Sequence, residues 1–185
     1  MKKIFIFLLI FLFVGCSKYS LESRIDLAKD IAKTAQFIPE NIETNSFTLK
    51  SYSKVQNNSL PLKIYIEGDG FAWINRYTLS PNPTPVNPIA LKLAVLDPYK
   101  NIAYIARPCQ YISNKNCSQE YWSNKRFSQE VVHSINQAIN ILKKKSHSKK
   151  IELVGFSGGA AIALLIASKR EDVQKITTVA GNLNH

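Results

Sequence analysis

The feature that most limits how this chain can fold is the stretch Ile151-Glu152-Leu153-Val154-Gly155-Phe156-Ser157-Gly158-Gly159-Ala160-Ala161. An apolar run typical of a β-strand leads into a serine, and a small-residue helix follows. A serine at such a sharp strand-to-helix turn requires neighbours without side chains, and Gly155 and Gly159 provide them. The pattern predicts a nucleophile elbow that lifts the Ser157 hydroxyl off the sheet, with the Gly158 amide beside it. The alternative is a glycine-rich turn that only permits close packing.

A second glycine-rich turn, Gly68-Asp69-Gly70-Phe71-Ala72-Trp73, directly follows a predicted strand. Glycine lets backbone amides point into open space, as the stabilisation of a developing oxyanion requires. We therefore predict that this turn faces the Gly158 amide and supplies the second donor of an oxyanion hole. The candidate donors are the amides of Asp69, Gly70 and Phe71. The alternative is a plain turn whose Phe71 and Trp73 side chains belong to the core.

Apolar patterns along the rest of the chain predict alternating helices and strands. A stripe from Leu21 to Ala35 predicts an amphipathic helix, and residues 46–55 and 62–67 predict two strands that pair as a hairpin at the sheet edge. Residues 75–88 contain four prolines and predict a stiff loop over the site. The remaining predicted elements are a helix over residues 89–96, a strand over 101–106, a long helix over 127–142 and a strand over 173–180. Such alternation predicts an α/β fold with a mostly parallel sheet and flanking helices.

The amino terminus has the pattern of an export signal. Two lysines precede an unbroken apolar run over residues 4–14, which is short for a membrane span and typical of a signal-peptide core. The run ends in Gly15-Cys16-Ser17, which resembles the lipobox of bacterial lipoproteins, with Phe13 where leucine is usual. We expect cleavage before Cys16 and its lipidation, which would hold the protein at the inner or outer membrane of the cell envelope, facing the periplasm. The alternative is ordinary secretion or an uncleaved anchor with Cys16 unmodified.

The charge of the chain, +11, does not by itself indicate a nucleic-acid-binding protein. No base-stacking pattern, zinc-ligand spacing or recognition helix accompanies the charge. The densest basic run, at residues 143–150, follows a predicted helix and is interpreted as a solvated helix end or, alternatively, as a weak contact for anionic lipid headgroups. We therefore expect no nucleic-acid partner, no metal and no cofactor. The oligomeric state is not predicted.

Two cysteines follow the predicted strand at residues 101–106. Cys109 and Cys117 are eight positions apart and, outside the cytosol, are expected to form a disulfide. Free thiols are the alternative. Metal binding and a cysteine nucleophile are disfavoured because no histidine lies nearby in the sequence.

Four blocks together resemble a group of uncharacterised, often exported, bacterial α/β-hydrolases. These blocks are Tyr65-Ile66-Glu67-Gly68-Asp69-Gly70-Phe71-Ala72-Trp73, Ala106-Arg107-Pro108-Cys109-Gln110, Gly155-Phe156-Ser157-Gly158-Gly159 and Val179-Ala180-Gly181-Asn182-Leu183. The resemblance covers about residues 20 to 185. It implies hydrolysis of an ester or other acyl substrate, with Ser157 as nucleophile.

The order of residues after Ser157 departs from that family. In this fold an acid and then a histidine follow the serine along the chain. Here the only later acids are Glu171 and Asp172, at the predicted end of the elbow helix, and the only later histidine is His185. Asn182 and Asn184 are amides and cannot stabilise an imidazolium as a carboxylate does.

Two hypotheses follow. The first is a membrane-anchored serine hydrolase whose base is His185 or belongs to another chain; the second is a non-catalytic lipoprotein or the remnant of a split gene. The expected organisation is a signal peptide at 1–15, a linker with an amphipathic helix at 16–36, and a partial α/β-hydrolase domain at 37–185 that lacks the final strands. His133 is interpreted as a solvent-facing residue of the long helix, and His147 as a loop residue.

Overall fold

The computed structural model describes residues 20–181. The predicted signal peptide, the predicted lipidation site Cys16 and the candidate base His185 lie outside the described residues. The helices are α1 (Leu21–Thr34), α2 (Ile89–Leu96), α3 (Gln129–Ser146) and α4 (Gly158–Ala167), with a short 3-10 helix at Gln119–Trp122. The strands are β1 (Ile38–Glu43), β2 (Thr48–Val55), β3 (Leu62–Ile66), β4 (Trp73–Asn75), β5 (Thr78–Leu79), β6 (Asn101–Ile105), β7 (Ile151–Phe156) and β8 (Val173–Val179).

Six strands form one sheet in the order β1-β2-β6-β3-β7-β8. The pairings β6–β3, β3–β7 and β7–β8 are parallel, whereas β1 and β2 join at one side in antiparallel orientation. Helices α3 and α4 pack against one face, and α1 and α2 pack against the other. The predicted α/β class, with a mostly parallel sheet and flanking helices, is confirmed.

One predicted strand pairing is wrong. Residues 46–55 and 62–67 were expected to form a hairpin, but β2 pairs with β6 and with β1, so β6 lies between β2 and β3. The hairpin partner of β2 is β1, which carries Pro39 and follows α1 closely. An edge strand tolerates proline because one side of its backbone makes no ladder bonds. Parallel pairing of β3 with β6 buries both faces of these strands, and that burial favours the observed order.

The parallel strands place the two glycine-rich turns at the same edge of the sheet. Strand β3 runs into the Gly68 turn and β7 runs into Ser157, and the two strands are direct neighbours. The carboxyl ends of adjacent parallel strands meet at one edge, which is where ligands bind in open α/β sheets. Within residues 20–181 no helix is long and apolar enough to cross a bilayer.

A disulfide joins Cys109 and Cys117, as predicted, and closes the loop that follows β6. The sulfur of Cys109 is buried in the core beside the α3 face, which ties this surface loop to the packed interior. We expect reduction, or replacement of Cys117 by serine, to lower the free energy of unfolding by about 2.5 kcal/mol, because the cross-link restricts the unfolded chain and so reduces the conformational entropy lost on folding. Denaturant titration with and without a reductant measures the difference. An unchanged midpoint in the reduced protein would contradict the prediction.

Candidate active site

Ser157 lies at a strained turn between β7 and α4. Its backbone has φ 51° and ψ −121°, a region that residues with a side chain rarely occupy. The turn is held from two sides: the Ser157 amide donates to the carbonyl of Val179 at 2.9 Å, and the Ser157 carbonyl accepts from the Ala160 amide at 3.0 Å. The local geometry matches the elbow that the sequence predicts.

The two glycines that flank Ser157 are required by close backbone contacts. A Cβ atom on Gly155 would lie 2.6 Å from the amide nitrogen of Ala160, and one on Gly159 would lie 2.5 Å from the carbonyl oxygen of Glu67. Both neighbours are backbone atoms and cannot move aside independently. Gly159 thus lets the amino end of α4 pack directly on the end of β3.

The Gly68 turn lies beside Ser157. A Cβ on Gly68 would be 3.2 Å from the Ser157 Cβ, and the two turns line one open hollow of about 220 Å³. The hollow is lined by Glu67, Asp69, Gly70, Phe71, Pro85, Val86, Asn87, Phe156 and Ser157. Part of the predicted loop at residues 75–88 borders the site, through Pro85 and its neighbours. The prediction of irregular structure is wrong for the start of this segment, where β4 and β5 form a short antiparallel hairpin.

The three predicted amide donors in the turn are not equivalent. The Phe71 amide donates to the carbonyl of Pro83 at 3.0 Å, so it is engaged in holding the loop. Within residues 20–181 the amides of Asp69 and Gly70 donate to no acceptor, and Gly70 has φ 68°. The candidate oxyanion donors in this turn are therefore the amides of Asp69 and Gly70. They lie opposite the Gly158 amide, the first of α4.

The Asp69 side chain is part of a charge cluster that the sequence did not predict. Its carboxylate accepts from Nη1 of Arg107 at 3.2 Å and lies 3.7 Å from Nε of Arg126. It also packs against Gly158, since a Cβ there would be 2.8 Å from Oδ2. Arg107 is buried, and desolvation lowers the pKa of its guanidinium while the nearby Asp69 carboxylate opposes that shift. The cluster fixes the turn on which the candidate oxyanion donors lie.

Gln110 braces the same turn. Its Nε2 donates to the carbonyl of Gly68 at 2.9 Å, and its Oε1 accepts from the Arg107 amide at 3.0 Å. The sequence contained a signal for both residues, because Arg107 and Gln110 belong to one of the blocks that carry the family resemblance. That block alone did not reveal a role, since the contact spans more than 40 positions in sequence.

Glu67, at the end of β3, is the second feature that the sequence analysis missed. Its carboxylate lines the hollow, is 2 % exposed, and accepts from the Gly68 amide at 2.9 Å, the Ala90 amide at 3.3 Å and the Tyr104 hydroxyl at 3.2 Å. Burial raises the pKa of this carboxyl from 4.5 to about 7, although the hydrogen bonds from the Gly68 and Ala90 amides act in the opposite direction. Glu67 therefore connects the Gly68 turn to the start of α2.

This raised pKa predicts how stability depends on pH. Below pH 4.5 the carboxyl is protonated in both the folded and the unfolded chain; between 4.5 and about 7 only the unfolded chain ionises, so stability falls as pH rises. The total loss corresponds to about 3 kcal/mol. We expect Glu67→Gln to remove this slope, so that the variant gains stability relative to wild type between pH 4.5 and 8. Urea unfolding across that range measures it.

A matched variant controls for the loss of one carboxyl from the chain. Glu171 is exposed and lies at the opposite edge of the sheet, and Glu171→Gln changes the net charge by the same amount. If the wild-type protein and the Glu67→Gln variant showed the same pH slope, the buried carboxyl would not be the cause.

The described histidines and later acids do not reach Ser157. His147 caps the carboxyl end of α3, at the amino edge of β7, whereas Ser157 follows the other end of that strand, about 20 Å away. His133 is exposed and borders a different hollow, between α3 and α4. Asp172 precedes β8 and is held by Arg170 and Lys143, whose hydrogen bonds lower the pKa of its carboxyl. In residues 20–181 no group of three or more His, Cys, Asp or Glu side chains could hold a metal ion.

Comparison with known proteins agrees with this architecture. Residues 105–183, less than half of the chain, match the model of the Dienelactone hydrolase family. No curated protein matches the sequence. The chain has the α/β-hydrolase fold.

Three solved structures illustrate the likeness. An esterase from Pyrococcus furiosus is 14% identical, with a TM-score of 0.54 over 82% of this chain and 53% of its own. An alpha-beta serine hydrolase homologue from Coxiella burnetii is 15% identical, with a TM-score of 0.53 over 80% and 64%. A protein of unknown function from Agrobacterium tumefaciens is 14% identical, with a TM-score of 0.58 over 80% and 62%. The chain thus spans roughly half to just under two thirds of the length of these structures.

Proposed function

We propose that this protein is a serine hydrolase of ester or other acyl substrates, with Ser157 as the nucleophile. The observation that carries the proposal is the strained backbone of Ser157 at the amino end of α4, facing the Gly68 turn across one hollow. A serine in this geometry presents its hydroxyl to a bound carbonyl, and backbone amides on both sides are available for the oxygen. The match to the Dienelactone hydrolase family model supports the same chemistry.

The proposed reaction has two steps. The Ser157 hydroxyl attacks the acyl carbonyl and passes its proton to a base, while the Gly158 amide and the Asp69 or Gly70 amide stabilise the oxyanion. The leaving alcohol departs with the proton, and water then hydrolyses the acyl-serine. The base lies outside residues 20–181, on His185 or on another chain.

We further propose that Cys16 is lipidated and anchors the protein in the cell envelope. The support comes from the sequence: a basic start, an apolar run and Gly15-Cys16-Ser17. The mass of the mature protein, isolated from the membrane fraction of the native host, tests this part directly. A mature chain without acyl groups on Cys16 would contradict it.

A second candidate is a non-catalytic lipoprotein, or the remnant of a split gene, with the same fold. The observation that favours it is that neither described histidine approaches Ser157, and a serine without a base is a weak nucleophile at neutral pH. Reaction of the full chain with a fluorophosphonate probe distinguishes the serine hydrolase from the non-catalytic protein. Covalent attachment supports the hydrolase; a chain that stays unlabelled, while folded by circular dichroism, supports the second candidate.

A further inference from the structure

The hairpin formed by β4 and β5 carries large apolar side chains that are exposed rather than buried. Trp73 is 48 % exposed, Ile74 53 % and Tyr77 84 %, so the alternative interpretation of this segment, with Trp73 in the core, is wrong. The hairpin lies in the chain between Phe71 and Pro85, two residues that line the Ser157 hollow. An apolar tip at this place indicates a surface that some partner covers.

The root of this hairpin is rigid. The Ser80 amide donates to the Ala72 carbonyl at 2.9 Å, and the Ser80 carbonyl accepts from Nε1 of Trp122 at 3.1 Å and Nε2 of Gln119 at 3.3 Å. At the turn, the Asn75 side chain accepts from two backbone amides. The exposed side chains therefore project from a fixed base and not from a loose loop.

The chemistry of the tip is that of a membrane interface. Tryptophan and tyrosine are enriched where a protein meets the lipid headgroups, because each joins an apolar ring to a polar group. Arg76 is in the turn, stacked 5.7 Å from the Tyr77 ring centroid, and no acidic residue occurs between Gly70 and Leu96. A positive charge among exposed aromatic rings complements phosphate headgroups and would not suit a basic partner.

The start of α1 links this surface to the proposed anchor. Arg24 is buried; its Nη1 donates to the carbonyls of Asn82 and Thr84, and its guanidinium lies 5.4 Å from the centroid of the Phe71 ring. Its Nε donates to the carbonyl of Ser20, the first described residue. Cys16 is four residues earlier, which allows at most about 14 Å of extended chain. An acyl group on Cys16 would thus hold the mouth of the hollow close to the bilayer.

We propose that the β4–β5 hairpin docks on the lipid bilayer and turns the Ser157 hollow toward it. The orientation of the hollow rests on the proposed Cys16 anchor, whereas the docking of the hairpin does not, and neither depends on turnover. If the protein is a hydrolase, its substrate class is an acyl ester of the membrane or its interface. The lysine run at residues 143–150 lies at the amino edge of β7, about 20 Å from the site, and faces away from the bilayer in this orientation.

Tryptophan quenching tests the docking. The chain has two tryptophans: Trp73 on the hairpin and Trp122, which is buried. Lipidated protein is placed in vesicles of phosphatidylcholine and phosphatidylglycerol with brominated acyl chains. We expect emission from Trp73 to fall about two-fold, because the interface places the indole near the bromine atoms. In Trp73→Phe, the remaining emission from Trp122 should be unquenched.

Matched variants test whether the hairpin tip is responsible for the quenching of Trp73. Ile74→Asp with Tyr77→Asp places charge on the exposed tip and should abolish quenching of Trp73 while the protein still sediments with vesicles. Leu96→Asp makes the same change on another exposed side chain, at the far end of α2, and should leave quenching intact.

Three results would overturn the proposal. They are an unquenched Trp73 in vesicle-bound protein, equal quenching in the Ile74→Asp/Tyr77→Asp variant, and tip-dependent self-association without vesicles, which would assign the surface to a second copy. The mass of the mature chain shows independently whether Cys16 is lipidated. If it is not, the same quenching is measured on unlipidated protein titrated with vesicles, and its absence there contradicts the docking.

Discussion

Replacement of Ser157 by alanine should reduce covalent labelling by a fluorophosphonate probe to background, without unfolding the protein. The phosphorus must be attacked by an activated hydroxyl at the elbow, and alanine offers none. Removal of the nucleophile from a complete triad costs on the order of 10⁶ in kcat, so even a partially activated Ser157 should give a clear difference. Gel fluorescence after labelling of full-length protein measures it.

The matched control is Ser168→Ala. Ser168 is an exposed serine at the carboxyl-terminal cap of α4, whereas Ser157 is at the amino-terminal cap, so the control variant also loses one serine hydroxyl next to this helix. We expect it to be labelled as wild type. Equal labelling of wild type and the Ser157→Ala variant would show that another residue reacts, and the assignment of the nucleophile would fail.

Replacement of Gly159 by valine should lower the free energy of unfolding by about 3 kcal/mol, because the added side chain meets the backbone at the end of β3. A Cβ here would lie 2.5 Å from the Glu67 carbonyl oxygen, and valine adds two methyl groups beyond it. The variant Gly159→Ala separates the steric effect of a new Cβ on stability from the effect of helix propensity. Propensity alone predicts that alanine stabilises α4 by about 1 kcal/mol, so a net loss isolates the contact.

Gly68→Ala is the comparison for this series. At Gly68 the nearest atom to a new Cβ, at 3.0 Å, is a ring carbon of the Phe156 side chain, which can rotate away. The nearest backbone atom, the Phe156 carbonyl oxygen, is 3.2 Å away and is less crowded than the backbone that a Cβ on Gly159 would meet. We expect a cost of less than about 1 kcal/mol. Chemical denaturation of the variants ranks their free energies of unfolding. If Gly159→Ala proved no less stable than wild type, α4 would not pack on β3 as described.

The elements nearest the site could be predicted because they depend on local patterns. Strand β7, the Ser157 turn and α4 follow from an apolar run, two glycines and a small-residue helix, and each signal lies within a dozen positions. That the Gly68 turn meets Ser157 follows from one further rule, that adjacent parallel strands end at a common edge. Neither inference needs the packing of distant residues.

Strand pairing and the supporting contacts could not be obtained in the same way. The insertion of β6 between β2 and β3 depends on which faces the helices bury, and the expected β2–β3 hairpin was wrong for that reason. The contacts of Gln110 with Gly68, and of Arg107 with Asp69, join segments about 40 positions apart. A single sequence does not carry such pairings.

The sequence by itself determined the chemistry that this protein can present: a serine between glycines, a second glycine turn and the α/β alternation that brings both to one sheet edge. Only the tertiary structure decided which groups surround Ser157. It buries Glu67 and raises the pKa of its carboxyl, pairs Asp69 with two arginines, engages the Phe71 amide and leaves Trp73 exposed. The physical reason is that desolvation, ion pairing and exposure depend on neighbours in space, and those neighbours are distant in the chain.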